Sequence, residues 1–196
     1  MAGDGIKDVL IQPTHLLRGI EIDALVEATK AASGRFESVK MGMPLLYDEE
    51  DVKVAAKTLE EIFGDIPSSE VLAFMGHGSD GLKFPVYEDL EKQFEKDGYP
   101  HFCVGTVEFE PGVDGVLAKA KAQNSKKVTL TPLLIVAGDH AQNDMAGDKE
   151  DSWKSLFEKA GFATECVLKG LGEYPEIGRI YEEHAQAAES GKRSMI

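Results

Sequence analysis

The sequence predicts an α/β fold in which parallel sheets are flanked by helices and divided between two related lobes, the first of them incomplete. First, β-rich runs alternate with amphipathic helical runs along the 196 residues, which is typical of parallel sheets with right-handed crossovers. Second, several strand candidates are apolar without polar alternation, as expected for strands covered on both faces. Third, an internal repeat relates two parts of the chain.

The predicted strands and helices alternate from one end of the chain to the other. The strands cover residues 8–12, 38–43, 71–75, 103–108, 127–136 and 164–168. The helices cover residues 21–33, 49–63, 87–96, 113–122, 152–160 and 175–188. Gly161 lies where a glycine would end the fifth helix, and Pro175 lies where a first-turn proline would begin the sixth.

The repeat has the pattern V-x-(L/I)-x-P-x5-G. Its first copy is DVLIQPTHLLRG and its second is KVTLTPLLIVAG; the matched residues are Val9, Ile11, Pro13 and Gly19, and Val128, Leu130, Pro132 and Gly138. The segments that follow, from Phe36 and from Phe162, also match, and each precedes a helix. We therefore predict a partial N-terminal lobe, residues 1–66, and a C-terminal lobe, residues 67–196.

The two predicted lobes are unequal. Two βα units, which begin at Val71 and Cys103, precede the repeat strand of the second lobe and have no counterpart in the first. Because MAGDGIKDV resembles the end of a helix that leads into a strand, we expect either that Met1 is an internal methionine of a longer protein or that the natural chain is shortened, and we favour the former. The first sheet would then have about two strands and an unpaired edge, so we expect low stability or a homo-oligomer that covers this edge.

Composition excludes several classes of function. The formal net charge is −14, with 35 acidic and 21 basic residues, which argues against non-specific binding to nucleic acid or to an anionic membrane. No apolar run approaches the roughly 20 residues of a membrane helix. The two cysteines form no CxxC pair and no signal peptide is visible, so we expect a cytoplasmic protein.

Polar residues follow three strands of the second lobe. His77 follows VLAFMG, Glu108 ends the strand that contains CVGTV, and His140 follows LIVAGD. The carboxyl ends of parallel strands meet at one edge of a sheet, where ligands bind. Two imidazoles and a carboxylate are a common ligand set for a divalent metal, and the same groups accept protons near neutral pH. We therefore predict a metal site with catalytic function at this edge.

Each of these residues also has a structural alternative. His77 could be an ordinary hydrogen-bonded turn residue, Glu108 could cap the next helix, and His140 could be a loop histidine paired with Asp144. Their coincidence at equivalent strand ends favours the metal site over three separate structural roles.

Weaker candidates surround this set. Gly76 and Gly78 flank His77 and would let the backbone approach a ligand closely. His15 could face the crevice from the first lobe or lie in a loop, and Glu21 follows six residues later.

Two further histidines and one glycine-rich segment are not assigned to the site. His101 and His184 are predicted to be surface histidines. GHGSDG lacks the lysine of a P-loop and the spacing of a dinucleotide-binding turn, so we expect no nucleotide cofactor.

Several segments resemble one known family. They are FMGHGSD, VGTVEFEPG, LTPLLIVAGDHAQNDMAGD, DSWK and GLGEYP, together with VLIQPTHLLRGIE and MGMPLL in the first lobe. The chain resembles the anaerobic sirohydrochlorin cobaltochelatases of the CbiK type over nearly its whole length. The resemblance implies a class II chelatase: two similar α/β lobes and a cleft, and insertion of Co²⁺ into sirohydrochlorin without ATP.

The resemblance also implies roles for particular residues. The metal-binding histidines of the family correspond to His77 and His140, its metal-binding glutamate to Glu108, and Glu21 to a further carboxylate of the cleft. Members of the family open with a strand that carries an SFGTS-like segment, which has no counterpart in this sequence. Arg18 is a candidate donor to the carboxylates of the substrate.

Other functions are compatible with the same sequence. The same ligand set would suit nickel or iron as the inserted metal. A carrier that binds metal or tetrapyrrole without catalysis is a second alternative, and a phosphate-binding α/β protein is a distant third.

Overall fold

A computed structural model describes residues 2–79 and 85–196. Met1 and residues 80–84, which include the last two residues of GHGSDG, lie outside the described residues. All strands of the described chain belong to two parallel sheets, one with the order β1-β2 and one with the order β4-β3-β5-β6. The predicted α/β class is confirmed. None of the described helices is both long enough and apolar enough to cross a membrane.

The observed elements follow the predicted order. The strands are β1 (Asp8–Ile11), β2 (Ser38–Met41), β3 (Val71–Gly76), β4 (Phe102–Thr106), β5 (Lys127–Pro132) and β6 (Ala163–Cys166). The helices are α1 (Ile20–Ser33), α2 (Glu49–Phe63), α3 (Val86–Asp97), α4 (Val113–Ala122), α5 (Trp153–Lys159) and α6 (Pro175–Glu189). Short turns of 3₁₀-helix lie at Ala2–Asp4 and Leu171–Glu173, and a π-helical turn spans His140–Met145.

The helix ends follow the local chemistry of the sequence. Asp48 caps α2, because its carboxylate accepts hydrogen bonds from the backbone N–H groups of Glu50 and Asp51. Gly161 follows α5 with φ of +95°, a left-handed conformation that favours glycine. Pro175 is the first residue of α6. Both end signals predicted from the sequence are confirmed.

The first sheet is small, and its β2 side is covered by the C-terminal tail. β1 and β2 pair in parallel, with Asp8 opposite Ser38. The backbone N–H of Met195 donates a 2.9 Å hydrogen bond to the carbonyl of Met41, and Met195 and Ile196 pack beside the buried side chain of Met41. Within the described residues this sheet has the two strands that the repeat predicts.

The second sheet is central to the main core. All six residues of β3 are buried. The ring of Phe74 lies 5.4 Å from that of Phe94 and 5.5 Å from that of Phe63 at the end of α2. Both α2 and α6 contribute buried apolar residues to this core, and α6 also contacts β1 and β2. The helices therefore join the two sheets, and the division at residues 66 and 67 stays a prediction.

The predicted surface position of His184 is wrong, since this side chain belongs to a buried polar network. His184 is 8% exposed, and its Nε2 lies 3.2 Å from Oδ1 of Asp51. Arg193 donates two hydrogen bonds to the same carboxylate. Burial alone would raise the pKa of Asp51, but the hydrogen bonds from His184 and Arg193 outweigh it and hold that pKa below its usual value. Sequence periodicity misplaced His184 because α6 packs against α2, which carries Asp51, and against the first sheet.

The predicted surface position of His101 is also wrong. His101 is 5% exposed, and its Nε2 lies 3.3 Å from the carbonyl oxygen of Ile66. Its ring packs against those of Tyr99 and Phe102 at the start of β4. Burial lowers the pKa of His101 and so favours the neutral ring.

Glu60 on α2 is expected to make the stability of the protein depend on pH. Its side chain is buried, and its Oε1 has no hydrogen-bond partner among the described residues. Burial, and after it the neighbouring Asp97, raise the pKa of Glu60 from 4.5 to about 7. The folded state therefore holds a proton that the unfolded state has released between these two pH values, and stability falls as pH rises through this window.

The substitution Glu60→Gln should remove this pH dependence. We expect the variant to match the wild type near pH 5 and to exceed its free energy of unfolding by about 1–3 kcal/mol at pH 8. Urea unfolding at several pH values would measure the difference. Glu27→Gln is the control, because Glu27 is exposed on α1 and pairs with Lys30. An equal effect of both substitutions, or none at pH 8, would contradict the assignment.

Candidate metal site and cleft

His77 is held by the turn that follows β3. Its Nδ1 lies 2.9 Å from the carbonyl oxygen of Gly78, and a carbonyl only accepts, so Nδ1 carries the proton and Nε2 keeps its lone pair. The backbone N–H of Gly78 donates to the hydroxyl of Tyr87 at 3.2 Å. The side chain of His77 is 45% exposed, so its Nε2 is accessible to a ligand.

Glu108 lies beside His77 because the two backbones are bonded to each other. The strand β4 ends at Thr106, two residues earlier than predicted, but the N–H of Glu108 still donates to the carbonyl of His77 at 3.1 Å. One carboxylate oxygen of Glu108 lies 3.6 Å from Nε2 of His77. The alternative that Glu108 caps the next helix is wrong, since Glu110 accepts the hydrogen bond from Gly112 at the start of α4.

His140 does not directly follow a strand, which corrects the predicted length of β5. This strand ends at Pro132. The carbonyls of Leu134 and Ile135 then accept hydrogen bonds from the 3₁₀ turn at Leu171–Glu173 instead of from a strand. The apolar sequence extends beyond the end of β5 because the 3₁₀ turn covers these residues. His140 begins the π-helical turn that follows.

His140 is nevertheless brought to the other two side chains. Its ring centroid lies 4.7 Å from that of His77, with the rings nearly perpendicular. Its Nδ1 lies 2.6 Å from a carboxylate oxygen of Asp144. The structural alternative for His140, a pairing with Asp144, is therefore present, and it leaves Nε2 free of that contact.

His77, Glu108 and His140 form one compact group of possible ligands. One ligand atom of each lies within 4.8 Å of the others. Atoms 3.6 Å apart, such as His77 Nε2 and Glu108 Oε1, can each lie about 2.1 Å from one ion. The predicted convergence of the three side chains at the sheet edge is confirmed, and together they form a candidate site for a divalent cation.

A cleft of about 560 Å³ borders this site at His77. His77 and Gly78 line one wall, and His15, Gly19 and Glu21 line the other. His15 is anchored through its carbonyl, which accepts hydrogen bonds from the N–H of Leu45 and the hydroxyl of Tyr181. Of the two alternatives for His15, a position that faces the crevice or one elsewhere in a loop, the structure supports the first, because His15 lines the cleft. Glu21 does so too.

The glycines around His77 serve packing and backbone geometry. A Cβ on Gly76 would lie 2.5 Å from the ring of Tyr87, and a Cβ on Gly78 would lie 2.8 Å from the ring of Phe109. Gly78 also has φ of +88°. Gly78 lines the cleft, as predicted, whereas Gly76 is buried at the end of β3, so a close approach of ligand to its backbone is not what requires glycine there.

Sequence reasoning missed two aromatic residues of the cleft. Tyr87 and Phe109 both line it, and Phe109 is 41% exposed. The position of Phe109 next to Glu108 was the only available signal. Phe109 also borders a second pocket of about 510 Å³, whose lining includes Glu108, Glu110 and Asp114.

The side chain of Arg18 forms hydrogen bonds with two neighbouring side chains. It donates to Asp23 at 2.9 Å and to the hydroxyl of Tyr47 at 2.7 Å. The hydrogen bond to Asp23 raises the pKa of Arg18. These two bonds use two of the five N–H donors of the guanidinium, so its expected role as a donor to substrate carboxylates stays a prediction.

The fold is that of the chelatases. SirB from Bacillus subtilis, solved with Fe³⁺, matches 99% of this chain and 77% of its own chain with a TM-score of 0.67 and 13% identity. The sirohydrochlorin chelatase SirB of Bacillus subtilis subspecies spizizenii, in complex with cobalt, matches with a TM-score of 0.59 and 14% identity, over 99% of this chain and 76% of its own. A multi-domain Deinococcus radiodurans protein with structural similarity to chelatases matches with a TM-score of 0.63 and 16% identity, over 91% of this chain and 41% of its own.

The chain belongs to the cobalt chelatase (CbiK) family, which matches residues 1–190. The sirohydrochlorin cobaltochelatase of Salmonella typhimurium is 35% identical over 96% of this chain and 71% of its own length. The sirohydrochlorin cobaltochelatase CbiKC of Nitratidesulfovibrio vulgaris is 34% identical over 93% of this chain and 65% of its own length. The resemblance seen in the sequence is confirmed.

Proposed function

We propose that this protein is a sirohydrochlorin cobaltochelatase, a lyase of cobalamin biosynthesis that inserts Co²⁺ into the tetrapyrrole without a nucleotide. The observation that carries the proposal is the cluster of His77, Glu108 and His140, which borders a cleft through His77. Family membership and the names of the relatives support the same substrate and metal. We also propose a cytoplasmic location, consistent with two free cysteines in the described chain.

The metal would be delivered to the cluster before insertion. Co²⁺ sheds water molecules and binds Nε2 of His77 and of His140, with the carboxylate of Glu108 as the third ligand. Three protein ligands leave coordination positions open, and these positions can accept the pyrrole nitrogens. The side chains of His77 and Glu108 are 45% and 47% exposed, so the ion can be transferred without unfolding of the site.

Insertion also requires two proton acceptors. The macrocycle loses two pyrrole N–H protons as the metal enters. An imidazole that has released the ion, or the carboxylate of Glu108, lies where it can accept such a proton. The same side chains thus hold the metal first and receive protons afterwards, and distortion of the macrocycle would expose its nitrogen lone pairs to the ion.

The cleft suits one apolar macrocycle with polar edges. Its volume of about 560 Å³ lies within the range of small-molecule sites. Leu16, Ile20 and Phe109 present apolar surface to it. The net charge of −14 repels a substrate rich in carboxylates at long range, so local donors must compensate. The backbone N–H groups at the start of α1, at the cleft wall, are candidate donors, but Glu21 and Asp23 in the same turn add negative charge there.

Nickel or iron insertion is the alternative enzyme function, because a His/His/Glu set binds all three ions. SirB structures have been solved with Fe³⁺ and with cobalt. A carrier without catalysis is the other alternative.

An absorbance assay separates these functions. Purified protein is mixed with sirohydrochlorin and Co²⁺, Ni²⁺ or Fe²⁺ under anaerobic conditions, and the conversion of the metal-free spectrum is followed. We expect catalytic turnover that is fastest with Co²⁺. Faster insertion of another metal would reassign the substrate metal, and one equivalent of bound product without turnover would indicate a carrier. Light scattering of the same sample would test the predicted homo-oligomer.

A further inference from the structure

Two side-chain pairs lie side by side on the π-helical turn that carries His140. His140 and Asp144 are four residues apart, with 2.6 Å between Nδ1 and Oδ2. Asp139 and Asn143 have the same spacing, with 2.7 Å between Nδ2 of Asn143 and Oδ1 of Asp139. The two pairs share one backbone environment but only the first includes a candidate metal ligand.

The chemistry of the first pair determines which nitrogen of His140 can bind a metal. An ionised carboxylate has acceptors only, so Nδ1 of His140 must carry a proton to form this hydrogen bond. Nε2 then keeps its lone pair. The carbonyl of Gly78 has the same effect on His77. Both histidines therefore present Nε2, although their acceptors differ in charge.

We infer that Asp144 is a positioning residue, which fixes the tautomer and ring orientation of His140 so that Nε2 faces the cation. Carboxylate partners of this kind orient metal-binding histidines and make them more basic, and their loss typically weakens metal binding by about 10–100-fold. The inference rests on the proposed role of His140 as a ligand, but the tautomer can be measured without metal.

The side chain of Asp144 has no competing assignment in the described structure. It is 39% exposed and lies in the pocket beside Glu108. A purely structural role in the turn would be shared by the parallel pair of Asp139 and Asn143. Asn143→Ala is therefore the matched control, since it removes a hydrogen bond of the same spacing from the same turn.

The test compares Asp144→Ala, Asp144→Asn and Asn143→Ala in the full chain. Nitrogen NMR of histidine-labelled, metal-free protein reports the tautomer of His140, and competition with a chromophoric chelator gives the Kd for Co²⁺. We expect Asp144→Ala to lose the Nδ1–H tautomer and to bind Co²⁺ about 10–100-fold more weakly. Asp144→Asn should retain most of both properties, because its amide oxygen still accepts from Nδ1. Asn143→Ala should change neither.

Several results would overturn the inference. They are an unchanged tautomer or Kd in Asp144→Ala, and a Kd in Asn143→Ala that rises as much as in Asp144→Ala. If Asp144→Ala does not fold, Asp144→Leu replaces it, because leucine is similar in size and has no acceptor. Co²⁺ binding by a wild type that shows no insertion would refute the proposed function and leave the inference standing.

Discussion

His140→Ala is expected to abolish cobalt insertion while leaving the fold intact. The substitution removes one of the two proposed imidazole ligands. Metal-assisted steps typically depend on several kcal/mol of such stabilisation, so the rate should fall by about 100-fold or more. His140 is part of no apolar core, and its side chain is 34% exposed. The melting temperature should therefore stay within about 2 °C of the wild type.

The control for this prediction is Gln142→Ala. Gln142 lies on the same π-helical turn, is exposed, and its side-chain amide donates to the carbonyl of Ala137 at 3.2 Å. It should retain the wild-type rate. Normal insertion by His140→Ala, or an equal loss in Gln142→Ala, would show that the assigned role of His140 is wrong.

Phe74→Ala is expected to have the largest effect on stability. Phe74 is fully buried in β3, and its ring contacts those of Phe63, Phe94 and Phe102 at centroid distances of 5.4–5.8 Å. Removal of a buried phenylalanine leaves a cavity and costs about 3–5 kcal/mol. The free energy of unfolding, from urea titration, should fall by this amount.

Val136→Ala provides the comparison for Phe74. Val136 is 71% exposed, so its truncation should change the free energy of unfolding by less than about 0.5 kcal/mol. A loss below about 1 kcal/mol in Phe74→Ala would mean that the aromatic cluster does not organise the core.

The sequence predicted those features that depend on local patterns. The parallel sheets followed from strand–helix alternation, and the convergence of His77 and Glu108 followed from the common edge of neighbouring parallel strands β3 and β4. His140 was correctly predicted to join the cluster, but the predicted strand does not extend to it. Its strand ends at Pro132, and it reaches the cluster through a segment bonded to a 3₁₀ turn, a contact that no local pattern reveals.

Features that depend on tertiary packing could not be predicted. His184 lies on a helix that packs against α2 and the first sheet, so a polar helix position became buried beside Asp51. Gly76 and Gly78 suggested ligand contact, but the rings of Tyr87 and Phe109 occupy the space beside them. Both cases require knowledge of which residues, distant in sequence, pack against the local segment.

The central claim is that His77, Glu108 and His140 hold the cobalt ion that is inserted. Anomalous diffraction at the cobalt edge, from crystals soaked in Co²⁺, tests it most directly. We expect one strong peak about 2.0–2.2 Å from Nε2 of His77, from Nε2 of His140 and from a carboxylate oxygen of Glu108. A cobalt peak in the neighbouring acidic pocket alone, with none between the two histidines, would contradict it.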